Sequence, residues 1–398
     1  MYPALMPNYN RADLAFTHGT GAWLHAENGR RYLDFGAGIA TSSLGHGHKH
    51  LAAEIAAQAA RVIHVSNLYR VPQAERLAAR YVAASFADSI FFCNSGAEAN
   101  EALVKAIRKA QSDAGHPERT RVICFEGAFH GRTLAMISAT GNAKYLAGFG
   151  PPVAGFDHVP FNNLNALRAA ITAETAGILV EPVQGEGGVR PAEPGFLAGL
   201  RAACDEFGLF LGFDEVQTGM GRSGKFFAHE WSGITPDILS SAKGIGGGFP
   251  MAAVFAREAL AKALVPGSHG TTYGGGPLAC AAGNAVLDVL LADGFLDQVN
   301  HTAAYLRAGL EALVSRHGQV FTELRGLGLL LGLKCAVPNA AAQTAAMEAG
   351  LLTVAAGENV LRLAPPLIIG RAECDAALDM LETTARRLKP AATEALAK

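Results

Sequence analysis

The chain has 398 residues, half of them hydrophobic and 17% charged, with a formal net charge of -2 at neutral pH. That length suits one large or two moderate domains with an ample core. The near-neutral balance gives no global attraction to nucleic acid or to an anionic membrane. Six cysteines (Cys93, Cys124, Cys204, Cys280, Cys335 and Cys374) are scattered with no CxxC pair, which predicts reduced, buried thiols and no disulfide framework or zinc site. The opening stretch, MYPALMPNYNRADL, lacks a basic region followed by an apolar run, so no secretory signal is expected. No run of about 18 apolar residues marks a membrane span, and the cytoplasm is the expected location.

Residues 21–35 read as two short strands joined through Glu27-Asn28-Gly29, an Asn-Gly turn. From about residue 75, short apolar runs alternate with Ala/Leu-rich stretches. Strands are expected at Ile90–Cys93, Val122–Phe125, Gly177–Glu181, Leu209–Phe213 and Ala252–Phe255, with helices such as Glu98–Ala110 and Phe196–Phe207 between them. Such runs suit strands covered on both faces, so the alternation predicts an α/β domain with a mainly parallel sheet. Beyond about 295, a helix over Leu296–Ser315, a strand region over Val320–Leu333, another helix, a strand at Val360–Leu363 and a closing helix predict a smaller α+β domain.

Ligands in open α/β sheets sit beyond the carboxyl ends of the strands, and three such ends carry chemistry. The strand Phe91–Cys93 runs through Asn94-Ser95-Gly96 into a helix whose free N-H groups suit a phosphate or carboxylate. Read alone, Asn94 or Ser95 serves equally as a helix cap. Asp214 and Glu215 close the strand that begins at Leu209, where buried acids need a partner. Asp214 suits a metal, a sugar hydroxyl, a cationic heterocycle or a turn cap. Lys243 ends a third strand and enters the glycine-rich Gly244–Gly248. Desolvation there favours the neutral amine that forms Schiff bases, although a lone Lys-Gly is more often a surface lysine beside a loop.

Two further patterns point elsewhere on first sight. Gly219–Lys225 fits GxxxxGK, but Phe226 stands where a magnesium-binding Ser/Thr is needed and no helix opens there. His46, His48 and His50 match no common zinc spacing and read as a turn before the helix at Leu51.

In order, NSGAEAN, GAFHGRT, EPVQGEGG, DEVQTG, SAKG, TTYGG and LRLAPPL resemble the class III (ω-amino) aminotransferases of pyridoxal-phosphate fold type I, from about Gly19 to the last helix. Among these the chain looks most like the acetylornithine aminotransferases. The resemblance implies a mainly parallel seven-stranded sheet in a large cofactor-binding domain (61–294), a smaller C-terminal domain (295–398) and an N-terminal segment (1–60) that joins the latter. It implies pyridoxal 5'-phosphate on Lys243 as a Schiff base, with Asp214 on the pyridine nitrogen and Gln217 on the 3-oxygen. Gly96 and Ala97 then give N-H groups to the phosphate, Phe129 stacks on the ring, and Thr272 completes the phosphate cup from a partner subunit of a homodimer with shared active sites.

The same resemblance gives Arg362 the α-carboxylate of glutamate or 2-oxoglutarate, through a bidentate fork, and makes Glu186 the residue that masks it. Arg132 takes the remaining carboxylate, and Thr271 contacts substrate from the partner subunit. Ile39 falls where ornithine-δ-aminotransferases carry a tyrosine, which favours an acylated donor, N2-acetylornithine with 2-oxoglutarate. Succinylornithine and succinyldiaminopimelate stay open, with ornithine and 4-aminobutyrate behind them. Aminomutases, decarboxylases and a non-catalytic cofactor-binding regulator are the rivals from other classes. Two positions depart from the family pattern: Gly276, where TYGGNP has Asn, and Lys49, where Pro is common.

Overall fold

The computed structural model describes residues 4–388; residues 1–3 and 389–398, at the ends of the two outer expected units, lie outside the described residues. Three strands open the chain: β1 (Phe16–Thr20), β2 (Trp23–Ala26) and β3 (Arg31–Asp34). β2 and β3 pair antiparallel across the expected Asn28-Gly29 turn, where Gly29 takes a φ of 79° that only a residue without Cβ adopts freely. The sequence reading missed β1, whose polar FTHGT has no apolar alternation.

The central sheet has seven strands: β4 (Ser89–Cys93), β5 (Arg121–Phe125), β6 (Phe156–Val159), β7 (Thr175–Val180), then, after the short pair β8 (Val183–Gln184) and β9 (Arg190–Pro191), β10 (Phe210–Asp214), β11 (Ile238–Ser241) and β12 (Ala252–Ala256). Their order is β4-β12-β11-β10-β7-β5-β6, and β12 alone runs antiparallel to its neighbours. The mainly parallel seven-stranded sheet expected from the sequence is therefore the observed one. β7 and β12 are buried along their whole length, as expected of strands covered on both faces. β6 carries little strand signal in the sequence because it is a short edge strand, FDHV, whose two central residues, Asp157 and His158, are both polar.

The helix Gly96–Asp113 follows β4 and is longer than expected at both ends. Ser95 caps it by accepting from Glu98 N, while the Glu98 carboxylate reaches back to Asn94 N at 3.1 Å. This reciprocal cap stabilises the first turn by about 1 kcal/mol. Ala99, Leu103, Ile107 and Ala110 recur at helical spacing and bury one face against the sheet.

After the helix Phe295–Arg316, β13 (Phe321–Leu327) and β14 (Leu330–Cys335) form a hairpin, β15 (Leu351–Leu352) pairs parallel with β3, and β16 (Val354–Ala356) and β17 (Val360–Leu363) complete a second four-stranded sheet. The opening strands thus share a sheet with a strand more than 300 residues later. All six cysteines are buried and free. Burial pushes the Cys93 and Cys204 thiols up to about 12, which suits inert packing groups. Among the described residues, no single helix is long and apolar enough to cross a membrane.

Candidate active site

A cavity of about 340 Å³ opens beyond the carboxyl ends of β4, β7, β10 and β11. Gly96, Ala97, Phe129, Asp214, Gln217 and Lys243 all line it, so six of the residues singled out from the sequence converge on one space. At one end lies the first turn of Gly96–Asp113. Ser95 satisfies only the Glu98 N-H there, which leaves the earlier amides of Gly96 and Ala97 facing the cavity as an anion site.

Asp214 is 3% exposed at the end of β10 and holds three donors. Oδ2 accepts from Asn100 Nδ2 at 2.7 Å and faces His130 Nδ1 at 2.8 Å, while Oδ1 accepts from Val216 N at 3.0 Å. Asn100 is itself fixed, donating to the His130 carbonyl at 2.8 Å and accepting from Ser240 Oγ at 2.6 Å. Asn100, His130 and Ser240 were not singled out from the sequence. Each lies inside or beside a motif that was, and Asn100 sits one helical turn past Gly96, on the face that meets Asp214. His130 Nε2 is buried without a partner among the described residues.

Lys243 follows β11 in a left-handed conformation, φ 49°, at the start of a short turn. Burial, reinforced by the nearby Arg362 guanidinium, holds its amine down at about 8, with Glu186, Asp214 and Glu181 pulling the other way. Burial thus shifts the amine towards the neutral form that a carbonyl-trapping group requires. Glu181, just past β7, also lines the cavity and accepts from Phe129 N at 3.0 Å. Burial and the neighbouring Asp214 hold its carboxyl well above the usual range.

Arg362, on β17, is 1% exposed and sits behind Gln217. Its Nη1 donates to Glu186 Oε1 at 2.6 Å and to Gln217 Oε1 at 2.9 Å, and Nη2 is buried with no partner among the described residues. Burial alone raises Glu186, but Arg362, Lys243 and Gln217 together bring it below its ordinary value, so it stays a carboxylate. Arg132 stands apart, exposed, with its guanidinium carbon 4.1 Å from the Tyr145 ring centre and 5.3 Å from that of Phe129. Thr271 accepts from Asn94 Nδ2 of the same chain at 3.2 Å, Thr272 is exposed, and neither lines the cavity of its own chain.

Glu215, the second acid at the end of β10, points away from this space. It accepts from Ala228 N, His229 N and Thr218 Oγ1, and burial pushes its carboxyl up to about 7. The GxxxxGK stretch is a run of turns in which Lys225 stacks over Trp231 and Phe226 is buried. His46 meets Asp34, His48 caps the helix Lys49–Ala59 and His50 meets Asp288, so the three imidazoles serve different partners.

These residues fit pyridoxal 5'-phosphate. A strand-end carboxylate suits the pyridinium, open helix-start amides suit the phosphate, and a low-pKa lysine suits the aldehyde. Comparison with known proteins agrees. The family model described as aminotransferase class-III matches residues 5–385. The acetylornithine aminotransferase of Brucella melitensis is 57% identical over 384 residues, covering 96% of this chain and 95% of that protein. Among solved structures, the N-acetylornithine aminotransferase of Stenotrophomonas maltophilia is 36% identical with a TM-score of 0.84, covering 95% of this chain and 97% of that one. The ornithine aminotransferase of Toxoplasma gondii is 30% identical with a TM-score of 0.93, covering 96% and 93%. With its cavity, its sheet and nearly its whole length in agreement, the chain belongs to the class III aminotransferases, enzymes that transfer amino groups by means of pyridoxal 5'-phosphate.

Proposed function

We propose that this enzyme moves the side-chain amino group of N2-acetylornithine to 2-oxoglutarate, giving N-acetylglutamate 5-semialdehyde and glutamate, a step of arginine biosynthesis. The names of the Brucella and Stenotrophomonas relatives support that donor. The observation that carries the reading is the Arg362–Glu186 contact beside Lys243. Two different amino donors must use one site in turn, and only one of them places a carboxylate near the reacting carbon. A buried arginine with a removable carboxylate partner accommodates both.

The cofactor, when bound, supplies an aldehyde for the amino group and a ring that takes up the negative charge left when a proton departs. Lys243 would be the residue that holds that aldehyde, and its amine, when free, would carry the proton between the two carbons concerned. Asp214, oriented by Asn100 and His130, would keep the ring nitrogen protonated. Gly96 and Ala97 would hold the phosphate, Phe129 would cover the ring, and Gln217, whose side chain is set by its contact with Arg362, would serve the 3-oxygen. Arg362 binds the α-carboxylate of glutamate once Glu186 swings aside. Arg132, the exposed cation at the mouth, binds the remaining carboxylate.

The active form in this reading is a homodimer, with Thr271 and Thr272 serving the neighbouring site. Leu68, Tyr69, Tyr273 and Ile63 are 87%, 71%, 66% and 61% exposed, an apolar set on one chain that a second copy would cover. The reading also divides the chain at 60 and 294, and the pairing of β3 with β15 supports joining 1–60 to 295–398. The donor is tested by steady-state comparison of acetylornithine, succinylornithine, ornithine and 4-aminobutyrate. Preference for either unacylated amine by about tenfold (1.4 kcal/mol) would overturn it. Ile39, apolar and 43% exposed, suits an acylated nitrogen better than an ammonium.

A further inference from the structure

Just after β3 the backbone does something its residues do not favour. Ala37, Gly38, Ile39 and Ala40 take successive φ values of 45°, 63°, 64° and 65°, a complete left-handed turn. Three of the four carry a Cβ, which left-handed geometry crowds against the following carbonyl oxygen. No local propensity holds this turn, so its neighbours must.

The holding contacts converge on Asp34. Its Oδ1 accepts from Gly36 N at 3.0 Å and Ala37 N at 2.8 Å, and its Oδ2 meets His46 Nε2 at 2.8 Å. Asp34 is 4% exposed, and the His46 backbone is fixed by paired bonds with Gly21 at 2.7 and 3.0 Å. Thr41 closes the turn by donating to the carbonyls of Ala37 and Gly38.

The residues after the turn reach the catalytic centre. Thr41 lines the cavity. Ser43, 1% exposed, donates through Oγ to the carbonyl of Gly244 at 2.9 Å, one residue past Lys243. Lys243 is itself left-handed. Two strained segments therefore abut, linked by the Ser43 hydroxyl. The far side of the segment is tied to the chain after Arg362, with Ala364 N on the Phe35 carbonyl and Leu367 N on the Ser43 carbonyl, both at 2.7 Å.

We propose that Asp34, oriented by His46, is a positioning residue for Lys243: it clamps the left-handed turn Ala37–Ala40, which seats Ser43 against the backbone of Gly244 and so fixes where the lysine amine stands. The inference rests on Lys243 being the lysine that holds the cofactor. Asp34 does not line the cavity and acts only through the turn.

The test uses the full-length protein stripped of cofactor, with Asp34→Asn and Ser43→Ala. Hydrogen exchange of amides 36–44 should speed up about tenfold in Asp34→Asn, the loss of a clamp contributing about 1.4 kcal/mol. On addition of pyridoxal 5'-phosphate, the rate of covalent linkage should fall about tenfold in both variants. Binding of pyridoxamine 5'-phosphate, which cannot link to a lysine, should stay within about twofold of wild type. A general loss of structure would weaken that binding as well. Linkage rates unchanged in both variants, or linkage and pyridoxamine phosphate binding falling together, overturn the proposal. If Asp34→Asn does not fold, His46→Gln and Ser43→Ala carry the same comparison. Hydride reduction of the wild-type complex must label Lys243. A label on another lysine removes both this proposal and the site assignment, whereas a label on Lys243 with unchanged rates removes this proposal alone.

Discussion

Arg362 Nη1 donates to Glu186 Oε1 at 2.6 Å, while the second terminal nitrogen of the same guanidinium, Nη2, is buried with no partner among the described residues. In the proposed function this guanidinium is the fork that takes the α-carboxylate, and Glu186 occupies one of its two terminal nitrogens. Glu186, a quarter exposed at its side chain, is the member free to move, because Arg362 is locked in the core. Removing it with Glu186→Ala leaves the fork open at all times. The KM for glutamate should then fall and the KM for acetylornithine rise, each by about tenfold. Equal changes for both donors would show that the pair is structural.

Lys243 gives a pH prediction with a definite sign. Its amine titrates at about 8 in the folded protein, against 10.5 for an unburied lysine. Between those values the unfolded chain binds a proton that the cofactor-free folded protein does not, so this group makes stability rise with pH across that window. Its penalty is fully present below about 8. Chemical denaturation of the cofactor-free enzyme near pH 7.5 and near pH 9.5 should show a smaller gain in Lys243→Met than in wild type. The rate of covalent cofactor linkage should also climb with pH and level off just above 8.

Asn100 joins Asp214, the His130 carbonyl and Ser240 through bonds of 2.7, 2.8 and 2.6 Å. Asn100→Leu preserves bulk but leaves all three without this partner in a buried setting. A loss of about 1–3 kcal/mol is expected in urea denaturation of the cofactor-free protein. Turnover should drop as well, because Asp214 loses the contact that fixes Oδ2. Asn100→Ser should recover part of both.

The apolar surface around Leu68 and Tyr273 bears on assembly. If Thr271 and Thr272 of each chain serve the other, as proposed, Leu68→Asp and Tyr273→Asp should shift the protein to monomer in sedimentation and remove most activity. Mixing either variant with inactive Lys243→Ala protein tests that sharing, and full activity in a demonstrated monomer would contradict it.

Much of this site was legible in the residues. Lys243, Asp214, Gly96 and Gln217 stand at strand ends or helix starts, where the topology of an open sheet brings them together whatever the details of packing. The supporting shell was harder to see. Nothing in the spacing of His130 or Ser240 announces that both converge on the Asn100–Asp214 pair, because that depends on how β10, β11 and the helix Gly96–Asp113 are set against one another in space. Glu181 reads as the last residue of a buried strand, and only its place beside the cavity and its neighbours reveal an acid whose carboxyl is pushed above the usual range. The turn Ala37–Ala40 was invisible for a different reason. Alanine and isoleucine carry no left-handed preference, and the geometry is imposed from outside by Asp34 and Thr41.

The pairing of β3 with β15 has a consequence for how the protein is made. A ribosome releases the chain from its N-terminus, so β1–β3 emerge early and wait for roughly 320 further residues before their parallel partner exists. Until then the hairpin has an open edge, and the segment running on to Ser43 lacks the ties to Ala364 and Leu367. The lysine loop can form in the nascent chain, but the wall beside it cannot. Competence to capture cofactor should therefore arrive late and abruptly during synthesis, with the last third of the chain, and arrested chains ending before Leu351 should remain targets for chaperones and proteases.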